Sequence, residues 1–198
     1  MIKIEKTKDY TAYYFNNFLH RECGPAIERS NGDKEYYVND TLQREDGPAR
    51  ELVTGYKSYW INGQLHREDG PAIEYDGYKE YWVNGKLHRE DGPAIEWFNG
   101  DKFYHINGLR HREGGPAIEY FNGDKYYYIN GKRHREDGPA VEWVNGYKEY
   151  WINDKRHRKD GPAIECSNGD KEYWYYGKKI EVKSTEEFIR MSNLVILW

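Results

Sequence analysis

The chain has 198 residues, of which 32% are charged and 17% aromatic, with a formal net charge of −4. That aromatic share argues against intrinsic disorder, and the negative balance removes the attraction that drives sequence-independent nucleic-acid binding. No apolar run reaches the ~20 residues of a membrane span, the start Met1-Ile2-Lys3-Ile4-Glu5 lacks the apolar stretch of a signal peptide, and two cysteines, Cys23 and Cys166, fit a reducing cytoplasm better than a disulfide framework.

Residues 1–12 are expected to supply a capping strand with Ile2 and Ile4 on one side. The stretch 13–20 matches the second half of a repeat, so the array begins mid-unit. From there Gly-Pro-Ala recurs seven times and uses every proline: Pro25, Pro48, Pro71, Pro93, Pro116, Pro139 and Pro162. The spacings are 23, 23, 22, 23, 23 and 23 residues, a register that marks a stacked repeat running over residues 13–177.

One unit, 93–112, shows the expected geometry. Asn99-Gly100 signals a two-residue type I′ hairpin, because both turn positions tolerate positive φ. That loop sets Glu96 opposite Phe103, Ile95 opposite Tyr104 and Ala94 opposite His105. Alternation then puts Ile95, Trp97, Tyr104 and Ile106 on one face, expected to be the core. Ala94, Glu96, Phe103 and His105 fall on the other, half-exposed face. Asn107-Gly108 ends the strand, and a polar connector returns the chain to the next proline, which suits a strand start or edge. After Gly177, residues 178–198 open on the capping box Ser184-Thr185-Glu186-Glu187, followed by Phe188, Ile189, Met191 and Leu194 at helical spacing. This predicts a short helix covering the last sheet edge, anchored by Leu197 and Trp198. The expected fold is all-β: an elongated, single-layer antiparallel array of β-hairpins with a C-terminal capping helix.

Candidate chemistry is sparse. His20, His66, His88, His111, His134 and His157 form a column, each followed by arginine. A catalytic centre needs one asymmetric constellation, whereas a ladder repeats its structural groups, so the column predicts no catalytic, metal or cofactor site. The informative places are where the repeat fails to repeat. The position after each invariant lysine reads Glu35, Ser58, Glu80, Phe103, Tyr126, Glu149 and Glu172, and the aromatic strip two residues on reads Tyr37, Trp60, Trp82, His105, Tyr128, Trp151 and Trp174. Phe103, His105, Tyr126 and Tyr128 are thus candidates for an exposed protein-binding cluster, flanked by Trp82 and Trp151 of the strip. A second copy of the chain is one candidate partner. The alternative is a small-ligand or nucleotide module, with bases stacked on the strip and phosphates held by the connector arginines.

Units of this length, rich in Tyr and Gly with Asn-Gly-Lys turns, resemble MORN repeats, and more closely their bacterial variant. The string His-Arg-Glu-Asp-Gly-Pro-Ala, intact at 66–72, 88–94 and 134–140, is similar to repeat proteins of bacteriophages and giant viruses. The resemblance implies antiparallel β arrays that bind proteins and sometimes dimerise; some members contact phospholipid, and bacterial variants look like antitoxins. The His-Arg-Glu-Asp connector and the obligatory Gly-Pro depart from ordinary units, and with the acidic balance they speak against lipid binding. A viral inhibitor of a host defence protein, acting in the host cytoplasm, is the role that the resemblance suggests.

Overall fold

The computed structural model describes residues 1–195. The chain forms two compact units, Met1–Phe98 and Asn99–Trp198, both built from the repeat. Among the described residues all regular structure is β except one helix, α1, over Thr185–Val195. No helix among the described residues is long and apolar enough to cross a membrane.

In the first unit β1 (Ile2–Lys6) pairs with β2 (Tyr10–Phe15), which also pairs with β3 (Phe18–Leu19) and with Ile27–Arg29. The ladder continues antiparallel through Lys34–Glu35, Arg50–Glu51, Lys57–Ser58, Ile73–Tyr75, Tyr78–Glu80 and Ile95–Glu96. In the second unit it runs from Lys102–Phe103 through Ile118–Glu119, Lys125–Tyr126, Val141–Glu142, Lys148–Glu149, Ile164–Glu165 and Lys171–Tyr175 to Lys178–Ile180.

The type I′ turn sits elsewhere than expected. At Asn122-Gly123 only the glycine has positive φ, at 99°. The Gly123 amide donates to the Tyr120 carbonyl at 2.9 Å and the Tyr120 amide to the Asp124 carbonyl at 3.0 Å. This is a three-residue loop, a type I turn closed by a left-handed glycine. The Asn122 side chain fixes it by accepting the Asp124 amide at 3.0 Å. The second Asn-Gly of each repeat is the true type I′ turn. At Asn130-Gly131 both φ values are positive, 49° and 79°, and Tyr128–Ile129 pairs with Lys132–Arg133. Each complete repeat therefore holds two hairpins, and the connector begins as a short strand. The unit one residue shorter supports this reading. Its loop, Asp76-Gly77, has φ of 42° and 78°, yet still sets Ile73 opposite Glu80 and Glu74 opposite Lys79.

One residue more in the loop shifts the register by one and exchanges the faces. Ile118 stands opposite Tyr126, not Tyr127, and Glu119 opposite Lys125. The expected pairing of faces is corrected accordingly. The isoleucine column shares its face with the variable position and the aromatic strip. The alanine column, fully buried at Ala26, Ala49, Ala72, Ala94, Ala117, Ala140 and Ala163, shares the other face with the tyrosine column and the connectors.

On that connector face one motif recurs. Each connector arginine lies flat on the tyrosine eight residues before it, with 3.9–4.1 Å from guanidinium to ring centroid. In Arg135, Nη1 donates to the Pro139 carbonyl at 3.2 Å and to Glu142 at 2.7 Å, while Nε donates to Asp137 at 3.0 Å. The glycine before the proline closes the other side. A Cβ on Gly138 would lie 2.9 Å from Arg135 Cζ, so any other residue there would have to shift the guanidinium. The recurring Arg-Glu-Asp-Gly-Pro thus reads as one charge-assisted clamp, with the cation stacked, bonded and three-quarters buried.

The histidine column links neighbouring repeats. The Asn84, Asn130 and Asn153 amides donate to Nδ1 of His66, His111 and His134 at 3.1–3.4 Å. Each of these three histidines therefore holds the first residue of the next type I′ turn.

At the C-terminal end, Ser184 Oγ accepts the Glu187 amide at 3.2 Å and Glu187 accepts the Lys183 amide at 2.8 Å, which caps α1 as its sequence predicts. Phe188 is fully buried against Tyr173, with ring centroids 5.1 Å apart. It covers the tyrosine that a connector arginine covers in earlier repeats. Ile189, Met191 and Leu194 remain exposed. Leu197 and Trp198 lie outside the described residues.

Candidate protein-binding surface

On the opposite face, the variable position is a hydrogen-bond hub. Where it is a carboxylate or serine, it accepts from the ring two residues on. Tyr37 donates to Glu35 at 3.0 Å, Trp60 to Ser58 at 2.8 Å, Trp82 to Glu80 at 2.6 Å, Trp151 to Glu149 at 2.7 Å and Trp174 to Glu172 at 2.9 Å. Glu149, only 7% exposed, also accepts from the Tyr147 hydroxyl at 2.5 Å and Arg156 Nη2 at 3.1 Å. Around Glu35, burial pushes the carboxyl up, but bonds from Arg29 and Tyr37 and the Arg50 charge outweigh it and hold it below the ordinary value.

Phe103 and Tyr126 break this hub, and the strip changes with it. With no carboxylate or serine at the variable position, an indole N–H two residues on would lose that partner, and those positions hold His105 and Tyr128. His105 is 8% exposed, and its Nδ1 is buried without a hydrogen-bond partner. Burial first, and then the Arg110 charge, lower its pKa. Arg110 stands opposite His105 in the short hairpin and lies over the Tyr128 ring at 5.4 Å.

The structure therefore divides the six sequence candidates. Trp151, 7% exposed, belongs to a buried cluster with Ala140 and Val141. His105 is likewise covered and presents no surface, contrary to expectation, because the face it occupies also carries the packed isoleucine column. Trp82 and Tyr128 are half-buried. Phe103 and Tyr126 are brought together through Tyr120, the counterpart one repeat on of Trp97, which was expected in the core. Tyr120 stands edge-on to both, at 5.8 Å from each ring. The chain of rings ends in Trp143, whose indole donates to the Tyr126 hydroxyl at 2.8 Å.

No protein-family model and no curated protein matches this chain. The geometry of the second unit is what points to a site.

That geometry places the exposed apolar groups at the loop tips. Phe121 is 78% exposed and Val144 73%, next to Tyr120 and Trp143 at 36% and 40%. The tips are ordered. Asp101 accepts the Phe121 amide at 2.7 Å and Asp124 the Val144 amide at 2.8 Å, so each loop holds the next. Phe121 also packs over Gly100, where a Cβ would meet its ring at 3.3 Å. The signal for these residues was present in the sequence. An apolar side chain immediately before Asn-Gly in a turn has no reason of local conformation to be there. Among the described residues no group of three or more His, Cys, Asp or Glu is arranged to hold a metal ion.

Proposed function

We propose that this chain is a non-enzymatic repeat scaffold that binds another protein through the ridge formed by Tyr120, Phe121, Trp143 and Val144, supported from beneath by Phe103 and Tyr126. The observation that carries the reading is the pair of ordered, three-quarters-exposed apolar tips beside two half-exposed aromatic rings. Contiguous exposed aromatic surface on a rigid frame is the usual form of an interface hot spot. The corresponding tip in the last repeat is Ser167, so the ridge is not a requirement of the loop.

The nucleotide-binding alternative draws less support. Its phosphate clamp was to be the connector arginines. In Arg44, Arg67, Arg89, Arg135 and Arg158, Nε and Nη1 are already committed to Asp, Glu and the proline carbonyl, and the guanidinium lies over a tyrosine ring.

The test is capture of binding proteins by the wild-type chain, by Phe121→Glu/Val144→Glu and by Ser167→Glu, with circular dichroism confirming that all three are folded. A partner retained by wild type and Ser167→Glu but lost by the double variant supports the ridge. Equal capture by all three removes it.

A further inference from the structure

The N-terminal strand of the first unit carries an inference independent of that ridge. β1 pairs only with β2 among the described residues, so its outer side is an open ladder edge. The Asn16 amide donates to the Met1 carbonyl at 3.0 Å and the Thr7 amide to the Tyr10 carbonyl at 2.9 Å. In an antiparallel ladder the inward-bonded residues alternate. Met1, Lys3, Glu5 and Thr7 therefore turn their backbone groups toward β2. Ile2, Ile4 and Lys6 turn theirs outward.

This edge is guarded by charge alone, from Lys3, Glu5 and Lys6. It has no proline and no bulge, and Ile2 and Ile4 are 75% and 53% exposed, beside Phe15 at 43%. It is also self-complementary. Antiparallel pairing of two copies about a two-fold axis at Ile4 sets Ile4 against Ile4, Ile2 against Lys6, and Lys3 against Glu5. The outward amides and carbonyls of Ile2, Ile4 and Lys6 then meet their counterparts. Each lysine faces a glutamate across the strands, which stabilises the pair. A two-fold centred on Lys3 or Glu5 sets like charges opposite each other, which selects the Ile4 register.

We infer that β1 is a homodimerisation edge, which takes the β1 strand of a second copy in antiparallel register about Ile4. The contact is a single five-residue strand with a small apolar patch, so the dimer is weak and concentration-dependent.

Sedimentation equilibrium of the untagged chain, from roughly 1 to 200 µM, a range that brackets micromolar affinity, is the direct test. The mass should rise from the 23.7 kDa of one chain toward twice that value. Lys3→Glu should weaken association about tenfold or more, the cross-strand pair now being repulsive, and Lys3→Glu/Glu5→Lys should restore it. Register has its own readout. In a Cys23→Ser/Cys166→Ser background, Ile4→Cys places two sulfurs on a directly opposed pair about 5.5 Å apart between Cα atoms, within disulfide range. Oxidised glutathione should then cross-link Ile4→Cys and leave Ile2→Cys unlinked. A mass of one chain at every concentration overturns the inference. So does a dimer indifferent to Lys3→Glu, or cross-linking of Ile2→Cys as fast as of Ile4→Cys.

Discussion

On the connector face, every repeat does the same thing: an arginine is clamped between a tyrosine ring and a glycine, and donates to a proline carbonyl and a glutamate. On the opposite face the repeats diverge, from a buried carboxylate hub at Glu149 to a chain of aromatic rings at Phe103, Tyr120, Tyr126 and Trp143. The clamp is tolerant in a graded way. Where aspartate is replaced, by Cys23 or Gly114, the arginine keeps its ring, carbonyl and glutamate but is more exposed: 30% at Arg21 and 33% at Arg112, against 22–24% in the other connectors. The hub tolerates Ser58 as acceptor and Tyr37 as donor, but where the acceptor gives way to Phe103 or Tyr126 the indole two residues on gives way too, to His105 or Tyr128. Uniformity thus marks the frame, and coordinated replacement marks where surface chemistry is free to change.

The sharpest way to break this comparison is Glu149→Ala. It strands the Trp151 indole, the Tyr147 hydroxyl and the Arg156 guanidinium, and should cost about 3 kcal/mol in urea unfolding. Glu136→Ala, at a side chain 85% exposed in the connector, should not move the midpoint measurably. Next, Gly138→Ala should push Arg135 off Tyr127 and cost about 1–3 kcal/mol, as overpacking does; a cost near zero would mean that the clamp is loose.

A smaller effect separates the histidines. His157 is 5% exposed and stacks on Tyr176 at 3.9 Å, and burial, then the Lys159 charge, lower its pKa. Its neutral form is the folded form. The contribution is complete above the ordinary histidine value of about 6.5 and erodes as pH falls from there through the lowered folded value, because the unfolded chain takes up the proton first. Melting temperature should therefore decline on acidification. Lys159→Glu should reduce that decline by restoring the glutamate that the other connectors carry. The smallest effect is Cys23→Asp, which completes the Arg21 clamp with an exposed carboxylate and should raise the urea midpoint slightly.

Much of this was legible in the chain. The proline register gave the repeat, Asn-Gly gave the turns, and Ser184 with Glu187 gave the helix start, since these signals act over a few residues. Local signals could not choose between the two turn types that Asn-Gly supports. Asn122-Gly123 and Asn130-Gly131 differ in φ at the asparagine, and that difference is decided by the strands each turn must join. The choice moves the register by one residue: a two-residue turn puts Trp97 in the core and His105 and Trp151 at the surface, and the three-residue loop reverses this. The tyrosine beneath each arginine and the glycine above it are eight and three residues from it in sequence. What the sequence determined alone was the period, the turn positions and the candidate columns, all set by short-range conformational preference. Only the tertiary structure decided which columns share a face and which rings reach solvent, because a period of two cannot say which of two faces is buried until the loop length has fixed the register.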